Sequence, residues 1–265
     1  MSDPTPAEPA VHIEPAPGLP GVLIVTLDNP PVNAVSLAQF RKLRAFFTDV
    51  AETHPDTTCI ILTARGKVFC AGADVRELSV RTTESQMARS VVSRGTFDAI
   101  RRCPVPVIGA VGGAAIGAGA VIASCCDIII ASDRAKMSLP EIVVGVMGGG
   151  RHMARILPDK WVRYLAMTGR SIDAATLERL GAVQMVVPHD ALLDETLSVA
   201  GEIARHSPTA ARLMKEAINL TEDMPITEGY RVEQLFTTLA SSLPDSKEAA
   251  LAFLEKRKPV WGKGN

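Results

Sequence analysis

The segment from Val105 to Gly150, VPVIGAVGGAAIGAGAVIASCCDIIIASDRAKMSLPEIVVGVMGGG, decides the fold of this chain. It begins as an apolar strand, passes through a glycine- and alanine-rich turn into a helix start, and continues as a second apolar strand. Glu141 then stands alone between Pro140 and an apolar run that ends in three glycines. In an apolar pocket with so few polar groups, backbone N–H groups and one carboxylate would carry most of the chemistry.

The segments before and within this stretch alternate between strands and helices. Apolar and β-branched runs predict strands at 21–29, 59–64, 105–111 and 127–131. The helical spacing of apolar residues predicts helices at 37–53, 84–102 and 117–124. Strands that alternate with helices in this way predict an α/β layered core.

The chain after residue 150 has a different pattern, with a clear strand signal only at 182–187. Helices are predicted at 159–168, 173–180, 190–206, 208–220, 226–241 and 246–256. We therefore expect an α/β core over 21–205 and a helical C-terminal region over 206–265. The acidic, proline-rich residues 1–20 are predicted to be a disordered tail.

Composition limits the classes of function. The 265 residues include 28 basic and 29 acidic side chains, which gives a net charge of −1. This balance argues against a general binder of nucleic acid or of anionic membranes, because such proteins need a basic excess or stripe. No apolar run reaches the roughly 18 residues of a membrane span, and the first residues lack the features of a signal peptide.

The five cysteines indicate a reducing compartment. Their number is odd, and they form neither a CxxC pair nor a spacing with histidine that would hold a metal ion. We therefore expect reduced thiols in a cytoplasmic protein, and no metal site.

The glycine-rich turn from Gly112 to Gly119 has three interpretations. The preceding strand and following helix suggest dinucleotide binding, but no glycine stands two residues after Gly112, as that motif requires. Alternatively, unpaired N–H groups at the helix start stabilise negative charge, and a second turn at 70–74 supplies another donor. Two such donors would form an oxyanion hole for a thioester oxygen. The third interpretation is two ordinary tight turns.

Glu141 has two interpretations. Pro140 fixes the backbone before it and an apolar run follows, so apolar walls would raise the pKa of its carboxyl toward that of a useful general acid or base. Alternatively, it is a solvated loop glutamate. The residues by themselves leave both interpretations open.

Four motifs resemble those of the enoyl-CoA hydratase/isomerase family, also called the crotonase family. They are CAGADVREL at 70–78, VGGAAIGAGAVIASCCDIIIAS at 111–132, LPEIVVGVMGGG at 139–150 and FLEKRKPVW at 253–261. The resemblance covers nearly the whole chain from residue 21. It implies a spiral of repeated ββα turns, an acyl-CoA substrate, and a helical C-terminal region that builds homotrimers, often paired into homohexamers.

The resemblance also implies the parts of an active site. The family's oxyanion donors fall on the backbone N–H groups of Ala73 and Ala118, and its principal catalytic glutamate falls on Glu141. Gly149 matches the glycine at a helix start beside that glutamate. The substrate-contacting stretch falls on Ala73, Asp74, Val75 and Arg76, together with Ala118. No cofactor or metal is implied, because coenzyme A is part of the substrate.

Two positions depart from the pattern of the family's hydratases. Val121 stands one helical turn after Ala118, where hydratases usually carry a second glutamate, so water addition by two carboxylates loses one of its groups. His152 resembles a histidine of a subgroup in which some members open cyclic acyl-CoA thioesters by hydrolysis. It is a possible acid or base near neutral pH, or it only caps the helix or hydrogen-bonds a carbonyl.

We therefore predict an acyl-CoA enzyme. The first choice is an enoyl-CoA hydratase, a lyase of fatty acid metabolism that acts on 2-enoyl-CoA thioesters through an oxyanion hole and one glutamate. The alternatives are double-bond isomerisation, ring-opening hydrolysis, and non-catalytic binding of acyl-CoA or RNA. The expected partners are the acyl-CoA substrate and further copies of the chain in a homotrimer or homohexamer, without nucleic acid or membrane.

Overall fold

The computed structural model describes residues 10–74 and 82–262. Strands β1 to β10 cover Ala10–Pro15, Val22–Asp28, Cys59–Ala64, Val68–Cys70, Val107–Val111, Ala114–Ile116, Ile128–Ser132, Lys136–Ser138, Ser171–Asp173 and Met185–Val187. Helices α1 to α10 cover Leu37–Thr53, Thr83–Arg101, Ala118–Ser124, Gly150–Met153, Asp159–Thr168, Ala174–Arg179, Leu192–Ala204, Pro208–Thr221, Ile226–Ser242 and Pro244–Leu254. A 3₁₀ helix at Pro140–Val144 precedes α4.

The strands form two sheets that the chain visits in turn. The larger sheet has the order β1-β2-β3-β5-β7-β10, and the smaller has the order β4-β6-β8-β9. Pairing is parallel from β2 through β10 and from β4 through β8, whereas β1 and β9 pair antiparallel at the edges. Successive strands β3 and β4, β5 and β6, and β7 and β8 place one strand in each sheet. The predicted α/β fold and the spiral of ββα turns are thus confirmed.

Helix α1 shows how local signals fix an element. Ser36 caps its N-terminus by accepting from the Gln39 N–H, and the Gln39 side chain accepts from the Ser36 N–H in return. Apolar residues at helical spacing, among them Phe40 and Leu43, bury one face in the core. The predicted range of 37–53 and the predicted cap are both confirmed.

The N-terminal prediction of a disordered tail over 1–20 is wrong for the residues that the structure describes. Ala10–Pro15 is a strand, and it pairs antiparallel with Val22–Asp28 at the edge of the larger sheet. Proline is tolerated at a sheet edge, where its missing N–H costs no ladder bond, so the proline-rich composition concealed a six-residue strand. Residues 1–9 lie outside the described residues.

The smaller sheet was missed in the sequence because its strands have only three residues each. Ala114–Ile116 lies inside the predicted glycine-rich turn, and Ser171–Asp173 lies where only helices were expected. Such strands carry too few residues to show a period of two, and their pairing is set by the neighbouring turns of the spiral.

Helix α8 of the C-terminal region packs against the core. Lys215 on α8 is buried and ion-paired with Asp127 at 2.7 Å, and its ammonium also donates to the Val105 carbonyl at 3.0 Å. At the end of α8, Glu222 pairs with Arg101 and Arg155. No described helix combines the length and apolar character that a membrane span requires. The division of the chain at residue 205 stays a prediction.

Removing the partner of Lys215 tests this attachment. We expect Asp127→Ala to lower the free energy of unfolding by about 3 kcal/mol, because it leaves a buried ammonium without its counter-charge. The Lys215 side chain is 6% exposed, whereas that of Asp127 is 27% exposed. Lys215→Met should therefore cost less, since the remaining carboxylate reaches water. Urea denaturation of the two variants checks this order, and equal losses would contradict it.

Candidate active site

Ala73 occupies a short parallel bridge with Val35. The Val35 N–H donates to the Gly72 carbonyl at 2.7 Å, and the Asp74 N–H donates to the Val35 carbonyl at 3.2 Å. In a parallel bridge of this kind the residue between the two bonded neighbours turns its own N–H away from the partner strand. The N–H of Ala73 thus points away from Val35, and it donates no hydrogen bond to the described residues.

Ala118 is the first residue of α3, so its N–H has no acceptor within the helix. It donates to no other described residue. The turn that holds it lies against the turn that holds Ala73. A Cβ atom built on Gly72 would lie 3.8 Å from the Ala118 nitrogen, and one built on Gly119 would lie 2.3 Å from the Cys70 carbonyl oxygen. The structure therefore brings the two predicted donors into one small area.

Glu141 reaches the same area from the 3₁₀ helix. A Cβ atom built on Gly117, the residue before Ala118, would lie 2.7 Å from Glu141 Oε1. Glu141 Oε2 is buried and accepts no hydrogen bond from the described residues. Burial raises the pKa of the carboxyl above its ordinary value, because desolvation disfavours the charged form. Of the two interpretations of Glu141, the structure supports a carboxylate held among small residues.

The raised pKa predicts how pH affects stability. A carboxyl whose pKa is higher in the folded protein stabilises the fold below its unfolded pKa, and that contribution is lost as pH rises through the folded value. We expect the stability of Glu141→Gln relative to the wild type to rise as pH increases above about 4, the usual range of glutamate. Thermal melts of both proteins from pH 4 to 8 check this. A stability difference between the two proteins that does not change with pH, or that moves in favour of the wild type as pH rises, would contradict it.

Val121 and Gly149 are in contact one turn further along α3. Val121 is 2% exposed. A Cβ atom built on Gly149 would lie 2.9 Å from Val121 Cγ2 and 2.7 Å from Leu139 Cδ2. Gly149 also has a φ of +74°, a conformation that side chains rarely adopt. The predicted glycine at a helix start therefore lets α4 begin against α3. A buried apolar side chain occupies the position at which the resemblance implies a second carboxylate in hydratases.

Gly149→Ala is expected to lower the free energy of unfolding by about 2–4 kcal/mol. Part of the loss comes from holding alanine at a positive φ, and part comes from the contact of its Cβ with Val121 and Leu139. The matched control is Gly150→Ala in the next position. There the nearest atom to a new Cβ is Val162 Cγ1 at 3.8 Å, and the backbone is helical. The control should be neutral or slightly stabilising. Thermal melts compare the two, and equal stability would contradict the steric explanation.

His152 does not join Glu141 in the structure. Its Nδ1 lies 3.6 Å from Cys125 Sγ, and its ring makes an edge contact with Phe97 at 5.3 Å between centroids. Cys125 directly follows α3, whereas Ala118 begins it, so the length of a seven-residue helix, about 10 Å, separates the two residues. Burial and the charge of Arg155 lower the pKa of the imidazole. This geometry gives no support to His152 as an acid or base.

Of the remaining predicted substrate contacts, Asp74 lies within the described residues. Asp74 is buried at the end of the bridge with Val35. Val75 and Arg76 lie outside the described residues.

All five cysteines are free and buried, and burial raises the pKa of the Cys70 thiol to about 12, which opposes a role as nucleophile. Among the described residues no group of three or more metal-binding side chains occurs.

Comparison with known proteins decides the family. The sequence model of the enoyl-CoA hydratase/isomerase family matches residues 19–264. This chain belongs to the enoyl-CoA hydratase/isomerase family. Solved structures of family members agree with the fold. An enoyl-CoA hydratase from Bacillus anthracis has a TM-score of 0.90 at 30% identity and covers 96% of this chain and 99% of its own. One from Mycobacterium smegmatis has a TM-score of 0.90 at 29% identity, with the same coverage.

Two relatives of this enoyl-CoA hydratase/isomerase family member differ in the reaction that their names state. A (7aS)-7a-methyl-1,5-dioxo-2,3,5,6,7,7a-hexahydro-1H-indene-carboxyl-CoA hydrolase from Mycobacterium tuberculosis is 37% identical over 240 residues, 89% of this chain and 96% of that protein. A probable enoyl-CoA hydratase from Mycobacterium bovis is 37% identical over 243 residues, 90% of this chain and 93% of that protein. The chain is an enzyme of an acyl-CoA family, and the family includes both hydratases and hydrolases.

Sequence reasoning missed the residues of this family member that hold the site together. Asn33 is buried, and its Nδ2 donates to the carbonyls of Arg65 and Val68, each at 2.7 Å. This ties the loop before α1 to the loop before β4, and Val32 and Val35 of the tied loop bond the turn around Ala73. The sequence shows only an asparagine two residues after a pair of prolines, and this pattern does not indicate which distant carbonyls the side chain bonds.

Proposed function

We propose that this chain is an acyl-CoA enzyme that stabilises a thioester enolate between the N–H groups of Ala73 and Ala118 and moves one proton with Glu141. The observation that carries the proposal is the approach of Glu141 Oε1 to Gly117, the residue directly before the Ala118 donor. A side chain at Gly117 would fill that space. A carboxyl of raised pKa beside two unpaired donors fits proton transfer at the carbon next to a thioester.

Hydration of a 2-enoyl-CoA is the first candidate reaction. Glu141 takes a proton from water as the water oxygen bonds to the β-carbon, and the electron pair of the double bond moves toward the thioester to form an enolate. The two N–H groups bind the enolate oxygen, each contributing roughly 3 kcal/mol in the transition state. Glu141 then returns the proton to the α-carbon, so that one carboxyl completes the cycle. The relatives named as probable hydratases support this candidate.

Hydrolytic ring opening is the second candidate, and the similarity to a relative named as a CoA hydrolase favours it. The substrate would be a cyclic acyl-CoA whose ring ketone is β to the thioester. Glu141 takes a proton from water as the oxygen bonds to the ketone carbon. The bond from that carbon to the α-carbon then breaks and leaves a carboxylic acid and the thioester enolate, which Glu141 protonates. One carboxyl suffices, which agrees with a buried valine in place of a second.

An isotope experiment distinguishes these candidates. The purified protein is incubated in heavy-oxygen water with crotonyl-CoA, with a 3-enoyl-CoA and with a 2-oxocycloalkane-carboxyl-CoA, whose ring ketone is β to the thioester, and the products are followed by mass spectrometry. Label in a 3-hydroxyacyl-CoA identifies a hydratase, and label in a new carboxylate identifies a ring-opening hydrolase. A shifted double bond without label identifies an isomerase. Binding of all three without turnover would contradict the proposed enzymatic function and favour a non-catalytic acyl-CoA or RNA binder.

We also propose that the chain assembles into a homotrimer or homohexamer through its C-terminal helices. The helices α8 to α10 expose large apolar side chains, which in a monomer would face water. They include Met214, Ile218, Leu220, Ile226, Leu235, Leu239, Phe253 and Leu254. Light scattering on the purified protein tests the assembly, and a monomer at micromolar concentration would contradict it.

The proposed chemistry calls on no metal or redox cofactor, since coenzyme A enters as part of the substrate. We place the reaction in the cytoplasm, which is the compartment that five unpaired cysteines favour.

A further inference from the structure

The Val35 carbonyl accepts a second hydrogen bond from a side chain far along the sequence. Besides the Asp74 N–H, it accepts from Arg89 Nη2 at 3.2 Å. Arg89 lies on α2, and its guanidinium carbon is 5.7 Å from the centroid of the Phe40 ring, which is buried on α1. The arginine therefore links the helix α2, the helix α1 and the strand-like residue that bridges to Ala73.

Val35 is the residue whose position sets the direction of the Ala73 N–H. Both of its backbone groups are used in the bridge, one to Gly72 and one to Asp74. The loop that carries Val35 is anchored near its start by Asn33, whose side chain donates to the carbonyls of Arg65 and of Val68, the first residue of β4. The Arg89 bond acts directly on the Val35 peptide, so a shift of Arg89 would be passed on to the bridge.

We propose that Arg89 is a positioning residue for the oxyanion hole. It holds the Val35 carbonyl, and through the bridge it holds the Ala73 N–H in the direction of the thioester oxygen. The inference rests on the proposed function, in which that N–H binds the enolate. A misplacement of about 1 Å in such a donor costs up to about 100-fold in rate, even when the mutated residue does not touch the substrate.

The test compares Arg89→Met and Arg89→Lys with a control on the same helix, Arg94→Met. Arg94 is exposed and makes no hydrogen bond or ion pair with the described residues. Turnover is measured with the acyl-CoA that the wild type converts in heavy-oxygen water. The thioester C=O stretch of bound butanoyl-CoA, labelled with ¹³C at the carbonyl, is measured by infrared difference spectroscopy, since its downward shift reports the strength of the two N–H donors.

We expect Arg89→Met to lower kcat roughly tenfold or more with KM changed less than threefold, and to reduce the carbonyl shift. Arg89→Lys should keep part of the turnover and part of the carbonyl shift, because lysine retains a hydrogen-bond donor. Arg94→Met should match the wild type in both measurements. A thermal melt of each variant shows that the fold is intact. If the wild type shifts the carbonyl and Arg89→Met shifts it equally, or if only KM changes, the positioning role is wrong. If the wild type itself gives no shift, the proposed oxyanion hole fails instead.

Discussion

Replacing Glu141 by glutamine is expected to lower turnover by about 10³-fold while acyl-CoA affinity changes only a few-fold. Glutamine keeps the shape of the side chain against Gly117 and loses the ability to take and return a proton. Its neutral amide costs less to bury than a charged carboxylate, so the fold should tolerate the change. Single-turnover rates and the dissociation constant of butanoyl-CoA measure the two effects separately.

The control for Glu141→Gln is Glu195→Gln, the same substitution at an exposed position on α7. It should leave both turnover and affinity unchanged. Near-normal turnover of Glu141→Gln would mean that another group moves the proton. Loss of affinity together with loss of rate would point to a binding role for the carboxylate and against proton transfer.

Replacing Gly119 by alanine is expected to lower turnover by about 100-fold or more, because it separates the two oxyanion donors. The new Cβ would lie 2.3 Å from the Cys70 carbonyl oxygen and 2.7 Å from Cys70 Cβ, so α3 must move away from the turn that carries Ala73. In a free helix the same change would be stabilising by about 1 kcal/mol. The loss is therefore a consequence of contact between the two turns.

Gly201→Ala on α7 is the matched control for Gly119→Ala. Its new Cβ would meet only the Leu19 side chain, with Cδ2 at 3.3 Å, and that flexible group can yield. We expect normal turnover and an unchanged or raised melting temperature. Steady-state kinetics and thermal melts compare the pair. Wild-type turnover in Gly119→Ala would show that the contact between the turns is not needed for catalysis.

The sequence predicted elements whose signals are local. Helix α1 was predicted correctly because the Ser36 cap and its apolar face lie within the helix and its first turn. Strand β3 was predicted because its residues are apolar on both faces. The three-residue strands were not, because their pairing depends on the closure of the spiral. Strand β1 was not predicted because it lies among prolines, and its pairing with β2 becomes visible only in the folded sheet.

For the candidate site, too, the sequence identified some residues but not the contacts between distant segments that position them. Resemblance pointed to Glu141, Ala73 and Ala118, and the structure brings them together. It could not show that Arg89, 54 residues from Val35, bonds the residue that orients Ala73. The sequence also could not show where the His152 side chain points. Its direction depends on whether Cys125 or the candidate site lies beside the face of α4 that carries His152. Contacts between distant segments are set by the fold, and no local pattern records them.

Hydrogen exchange at the α-carbon tests the central claim, proton transfer by Glu141 through a thioester enolate, most directly. A 3-enoyl-CoA is incubated in deuterium oxide with the wild type and with Glu141→Gln, and the mass of the acyl group is followed over time. We predict that the wild type incorporates deuterium at the α-carbon and that Glu141→Gln, with the ligand bound, does not. Equal exchange in both proteins, or no exchange in a wild type that binds the ligand, would contradict this account.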